Sequence, residues 1–262
     1  MPNFLEPNTC YDLEMIVVAN WKAYVEEAER AKKLFSLAKR LATKTKVSIV
    51  LAPSAPQIGL LAPKNKSKIA FAAQDISLST GGPHTGEVTA PMFISLGVAY
   101  TLVGHSERRA AGETRETVAQ KILHAIAHGL TPILCVGEKE RDAEGRYLAE
   151  VRADIVSALT QVAPKDRSRV IVVYEPVWAI GKGAEDAIAV TDLSEMALYI
   201  RKVLAELATS KASSKTIVLY GGSVVPEDIR GLAGGSGVDG FLVGHASVDP
   251  SMFTALVKAL AP

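Results

Sequence analysis

Eight short apolar runs rich in β-branched residues recur along the chain, and no other feature constrains its fold as much. They read MIVVAN, KVSIVLAP, KIAFAAQD, AYTLVGHS, TPILCVGE, RVIVVYEP, KTIVLYGGS and VDGFLVGHAS. Each is largely apolar rather than alternating, the pattern of strands buried on both faces of a parallel sheet. Between them lie segments with helical spacing. In AKKLFSLAKRLA, Leu34, Phe35, Leu37, Ala38 and Leu41 fall on one face, with the lysines and Arg40 on the other. TRETVAQKILHAIAHG puts Val118, Ile122, Ala125 and Ile126 on a stripe and stops at Gly129, a natural C-cap. DLSEMALYIRKVLAELA repeats the pattern with Leu193, Met196, Ala197, Ile200, Val203, Leu204 and Leu207. The connections after the second and third strands give weaker helical signals. Strand alternating with helix, with no linker or low-complexity tract, predicts an α/β fold: a closed (β/α)8 barrel. It would be a single domain over residues 1–262 with a short N-terminal extension of about residues 1–14. An open doubly wound sheet is the alternative, but no GxGxxG opens the first βα turn and no composition break marks a second domain.

Composition narrows the class of partner. Of 262 residues, 48% are hydrophobic, ample for one large core, and barrels of this kind reach about 250 residues as one domain. With 29 basic and 28 acidic residues the net charge is +1, which argues against nucleic acid or an anionic membrane as a partner. Cys10 lies in a polar stretch and Cys135 in an apolar run, so a reduced chain with one buried thiol is expected rather than a disulfide. No apolar stretch approaches the roughly 18 residues of a membrane span. The N-terminus has acids and prolines where a signal peptide needs basic and then apolar residues. A cytoplasmic protein is the expectation.

The predicted strands turn polar at their C-terminal ends. The first runs into Asn20 and Lys22, the fourth into His105 and Ser106, and the sixth into Glu175. The seventh ends in Gly221, Gly222 and Ser223, the eighth in Gly244 and His245. In a barrel these ends meet on one face, the usual place for catalysis. There a carboxylate could remove a proton from carbon, an imidazole could move protons between oxygens, and a lysine could stabilise developing negative charge. The glycines permit close backbone approach, and the ends of strands seven and eight are a recurrent phosphate position. No metal-ligand spacing occurs, and no cofactor is implied. Taken singly, each residue has a plainer reading. Glu175 could be an ion-pair partner, Lys22 a solvated charge, and His105 a satisfied strand histidine. Glu107, Arg108 and Arg109 could form a salt-bridged network, and Trp178 could be core or a latch. His124 and His128 have a spacing that could bind metal, though a histidine at a helix C-terminus is the simpler account.

Together, ANWK, GHSERR, YEPVWAIGKG and YGGSV, supported by TGGPHTGEV and PILCVGE, give a chain that closely resembles the triosephosphate isomerase family from about Met15 to its end. The resemblance implies interconversion of dihydroxyacetone phosphate and glyceraldehyde 3-phosphate through an enediol(ate), without metal or organic cofactor. It implies Glu175 as the base, His105 as a neutral electrophile and proton shuttle, and Lys22 as positive charge with Asn20 beside it. Glu107 would hold Lys22, and Gly181, Ser223 and Gly244 would bind phosphate. Pro176, Val177 and Trp178 would form a stiff hinge for a lid with Ala179, Ile180, Gly181, Lys182 and Gly183 at its tip. The family is normally a homodimer, and the loop carrying Thr85 and Glu87 would lie at the interface.

Four departures from the family pattern stand out. His245 replaces the usual second glycine, and a positive φ there would carry a steric penalty. The far hinge of the lid reads GKGAED, the stretch between GHSERR and GET is slightly shortened, and Asp75 stands where asparagine is usual. His245 and the hinge motivate an alternative, a sister isomerase of a longer ketose phosphate such as a tetrulose phosphate. A non-catalytic phosphate-binding protein on the same scaffold is a further reading.

Overall fold

The computed structural model describes residues 14–179, 188–207 and 216–261. The predicted N-terminal extension lies outside the described residues except for Glu14, as do Ile180, Gly181, Lys182, Gly183 and the far hinge of the lid. The strands are β1 (Ile16–Asn20), β2 (Ser48–Ala52), β3 (Ala70–Ala73), β4 (Tyr100–Val103), β5 (Thr131–Val136), β6 (Ile171–Tyr174), β7 (Val218–Tyr220) and β8 (Gly240–Val243). Each pairs parallel with the next, and β8 closes on β1 with Ile16 opposite Gly240 and Val18 opposite Leu242. Closure excludes the open doubly wound sheet.

The helices are α1 (Ala28–Lys44), α2 (Ala55–Leu61), α3 (Ala90–Ser95), α4 (Ser106–Ala110), α5 (Arg115–Ala127), α6 (Arg146–Leu159), α7 (Pro164–Arg167), α8 (Val190–Leu207), α9 (Ile229–Gly235) and α10 (Pro250–Ala259). Their starts follow local chemistry. Thr114 caps α5 by accepting the Thr117 N–H, and Asp249 caps α10 by accepting those of Ser251 and Met252. The weak signals after β2 and β3 correspond to α2 and α3, which are only 7 and 6 residues long. Too few turns exist there to show a periodic stripe. On α1, Leu34, Phe35, Ala38 and Leu41 are buried and Leu37 is partly buried. On α5, Lys121 joins Val118, Ile122 and Ala125 inside, which no apolar stripe foretells.

The strands are apolar on both faces because they separate two cores. Val17, Ala19, Ile49, Leu51, Val172 and Tyr174 point toward the helices. Ile16, Val18, Val50, Ala72, Leu102, Ile133, Cys135, Ile171, Val173, Leu219 and Leu242 fill the barrel interior. A strand alternates sides with a period of two, so the interior rows continue upward to Asn20, Gln74, Gly137, Glu175, Gly221 and Gly244. The lower layers are filled by branched side chains; the top layer is polar or has no side chain. That change in residue type leaves one end of the packed barrel polar. Cys135 is free and buried, and burial, then the Glu175 charge, pushes its thiol well above the usual range.

Candidate active site

Alternation places Glu175 two residues beyond Val173 on the inner row of β6, where it is 4% exposed. Gly137, at the end of β5, makes this placement possible. A Cβ built there would lie 2.1 Å from the Glu175 carbonyl oxygen, so only glycine lets the two strand ends approach so closely. The carboxylate is not buried alone. Glu175 Oε1 lies 2.9 Å from His105 Nε2, and Oε2 accepts the Ser106 N–H at 3.0 Å.

His105 arrives by breaking the alternation. Gly104 takes φ +73°, a turn that L side chains rarely adopt, and redirects the chain into α4. The backbone N–H of Glu107 then donates to His105 Nδ1 at 3.2 Å. A ring nitrogen that accepts carries no proton, so the proton sits on Nε2, facing Glu175. Gly104, before His105, is held at both its backbone polar groups. Glu113 Oε2 accepts the Gly104 N–H at 3.1 Å, while Arg109 Nε donates to the Gly104 carbonyl at 2.8 Å.

Lys22 follows β1 with φ +46°, the one non-glycine residue with positive φ among those described. Such a conformation is strained by about 1–3 kcal/mol unless its surroundings fix it, and three contacts do. The Lys22 N–H donates to Asn20 Oδ1 at 3.0 Å, Gln74 Nε2 donates to the Lys22 carbonyl at 2.9 Å, and Nζ lies 2.7 Å from Glu107 Oε1. A Cβ on Gly244 would come within 3.5 Å of Lys22 Cε, so the end of β8 lies directly beside this side chain. Asn20, Lys22, His105, Glu107, Glu175 and Gly244 thus converge at one end of the barrel. Ser223 meets the start of the predicted lid, its N–H donating to the Ala179 carbonyl at 3.2 Å.

Of the predicted hinge residues Pro176, Val177 and Trp178, the last two are anchored by a group that sequence reasoning did not single out. Glu138 is fully buried, and its Oε1 accepts from Tyr174 Oη at 2.7 Å, Trp178 Nε1 at 2.8 Å and Arg141 Nε at 3.1 Å. Its carbonyl accepts the Val177 N–H. Burial, then the Glu138 charge, raises the Tyr174 phenol above its ordinary range, which keeps it a donor. Gln74 and Glu113 were also missed. The even spacing of Gln74 above Ala70 and Ala72 was a usable signal for it; nothing local marks Glu113 or Glu138.

The other candidates sort out physically. His128 Nδ1 lies 2.8 Å from the His124 carbonyl at the end of α5. Desolvation, then His128, lowers the tendency of His124 to charge. Among the described residues no group of three or more histidine, cysteine, aspartate or glutamate side chains could hold a metal. Asp75 answers two cations, Lys121 Nζ at 2.5 Å and Arg108 at 2.8 Å, so its charge is matched. The shortened stretch after GHSERR still lets Glu113 reach Gly104. His245 opens a 3-10 turn over His245–Ser247 without positive φ, and the penalty foreseen for it does not arise.

A family model described as triosephosphate isomerase matches residues 15–260. The chain is similar to the triosephosphate isomerase of Roseiflexus castenholzii, 43% identical over 74% of this chain and 76% of that protein. It is likewise similar to those of Streptomyces coelicolor, 38% identical over 93% and 96%, and Dictyostelium discoideum, 35% identical over 84% and 85%.

Proposed function

The chain belongs to the triosephosphate isomerase family, and from that premise we propose how its own residues interconvert dihydroxyacetone phosphate and D-glyceraldehyde 3-phosphate. Glu175 takes a proton from C1 of the ketose, and the C–H electron pair becomes the C1–C2 double bond of an enediolate. The Nε2–H of His105 polarises the C2 oxygen and donates its proton there; the imidazole then recovers a proton from the C1 hydroxyl. Glu175 returns its proton to C2, giving the aldose. Lys22, held by Glu107 and Asn20, stabilises the oxygen charge.

The observation that carries this reading is the 2.9 Å contact between His105 Nε2 and Glu175 Oε1, with Nδ1 committed as an acceptor. A base and a proton donor already in contact can engage a carbon and the oxygen on its neighbour once the substrate separates them. Gly181, Ser223 and Gly244 bind the phosphate through backbone N–H groups. Ser223 does so by exchanging the Ala179 carbonyl for a phosphate oxygen as the lid moves. Residues 176–183 close over the site and exclude water, which strengthens these interactions.

The protein acts as a cytoplasmic homodimer. Residues 80–87, which include Thr85, stand exposed above a base pinched by the Ser77–Thr89 bridge. Beside them is a cleft of about 550 Å³ lined by Gln74, Asp75, Leu78, Glu87, Phe93 and Arg108, a suitable socket for the same loop of a second copy. Among the described residues no helix is long and apolar enough to cross a membrane.

The test is an isomerisation assay with triose and tetrulose phosphates, with the enzyme's mass measured by sedimentation. Turnover of the triose phosphate with the higher kcat/KM, by a dimer, is expected. Preference for the tetrulose phosphate would replace the substrate assignment; no exchange of substrate hydrogens with solvent would remove the enzymatic one.

A further inference from the structure

Position 245, where this chain carries histidine, has no part in the reaction just described, yet it sits one residue from Gly244. Its imidazole meets the ring of Tyr24 edge-on, centroids 5.6 Å apart and planes 79° apart. Tyr24 belongs to the turn that carries Lys22, its N–H bonded to the Trp21 carbonyl at 3.0 Å. Arg30 of α1 bridges the same two segments. Its Nη1 donates to the Tyr24 carbonyl at 3.0 Å and its Nη2 to the Val248 carbonyl at 3.2 Å. The β8 end is itself drawn into a compact turn, with Ser247 Oγ donating to the Gly244 carbonyl at 2.6 Å and the Val248 N–H to that of His245 at 3.1 Å.

We propose that Tyr24, His245 and Arg30 form a strap between the β1 and β8 ends that fixes Lys22 against Gly244 and presets the phosphate subsite. The inference rests on the assignment of Gly244 as a phosphate ligand. Lys22 keeps a backbone conformation unfavourable for any residue but glycine. Its own hydrogen bonds reach to Asn20, Gln74 and Glu107, none of them on β8. Strand pairing joins β1 to β8 only as far as Ala19 opposite Val243, and the strap extends the tie beyond it. A glycine at 245 would remove the ring contact and leave Arg30 as the side-chain bridge between the two turns. An edge-to-face contact depends on ring shape and quadrupole rather than on charge. His245 is therefore a positioning residue, and its imidazole need not touch the anion. Pre-organising a binding site lowers the ordering cost of binding; without the strap the Gly244 end shifts while Lys22 stays held by Asn20, Gln74 and Glu107, so the effect falls on affinity and leaves the proton transfers alone.

The experiment compares His245→Gly, His245→Phe, Tyr24→Ala and the double variant His245→Gly with Tyr24→Ala. The dissociation constant of inorganic phosphate is measured by calorimetry and KM and kcat by turnover of the triose phosphate; circular dichroism checks the fold. His245→Gly and Tyr24→Ala should each raise both the dissociation constant and KM by about two- to tenfold. The double variant should be no worse than the poorer single one, His245→Phe should match the parent, and kcat should barely move. A phenylalanine that fails to rescue would assign the effect to imidazole charge, and additive losses would show two independent contacts; either overturns the strap, as does a silent glycine variant. If the parent binds phosphate but does not turn over the triose, the proposed function fails while the phosphate data still judge the strap.

Discussion

The ends of β4 and β6 each bring one titratable side chain to the same opening, but they hold it in opposite ways. His105 is fixed from behind: its Nδ1 accepts a backbone N–H, and the preceding residue is gripped by Glu113 and Arg109. The Glu175 carboxylate is held from the front, by His105 Nε2 and the Ser106 N–H. Those are the groups that a substrate would displace. Behind β4 the chain enters a short helix; behind β6 it enters a 3-10 turn, Val177–Ala179, anchored through Trp178 on Glu138. On the proposed mechanism, the difference would separate a stationary proton donor from a base that moves with its substrate, rigidity on one side keeping the tautomer constant.

The comparison can be broken at either end. Glu175→Gln keeps the side-chain shape but cannot accept a proton from carbon, and kcat should fall by about a hundred- to ten-thousand-fold. Retained circular dichroism would place the loss in chemistry; near-normal turnover would mean that another group is the base. On the β4 side, Glu113→Gln weakens the grip on Gly104 and removes a charge from the buried Lys121, which lies 2.6 Å away. Urea unfolding should show a loss of about 1–3 kcal/mol, with a much smaller fall in kcat than at Glu175. Unchanged stability would show that the grip is not what fixes His105. The smallest effect belongs to Trp178→Phe, which deletes the Nε1 bond to Glu138 while Tyr174 and Arg141 remain. It should reduce stability by about 1 kcal/mol or less and change kcat only a few-fold. A collapse of kcat equal to that of Glu175→Gln would contradict a hinge that merely supports the base.

Much of this contrast is invisible locally. Lys121 reads as one more surface lysine in QKILHAIA, yet it is buried between Asp75 and Glu113. Asp75 looks like a lost asparagine contact until Arg108 and Lys121 are seen beside it. Glu138 lies inside a recognisable PILCVGE run, but its role depends on Tyr174, Trp178 and Arg141, two of them from another strand end. The positions of Lys22, His105 and Glu175, by contrast, follow from where their strands stop. A barrel gathers all its strand ends on one rim.

The sequence by itself determined the barrel, because a strand buried on both faces and a helix with one apolar stripe each leave a periodic record along the chain. It also determined which strand ends carry titratable groups. Tertiary structure alone decided how those groups are held: which nitrogen of His105 bears the proton, what keeps Lys22 in a left-handed conformation, and how His245 is accommodated. Beside the local bonds from the Glu107 and Lys22 N–H groups, these depend on hydrogen bonds and ring contacts between segments tens to hundreds of residues apart. Periodicity records what a residue faces, toward core or water, and not which distant side chain closure brings against it.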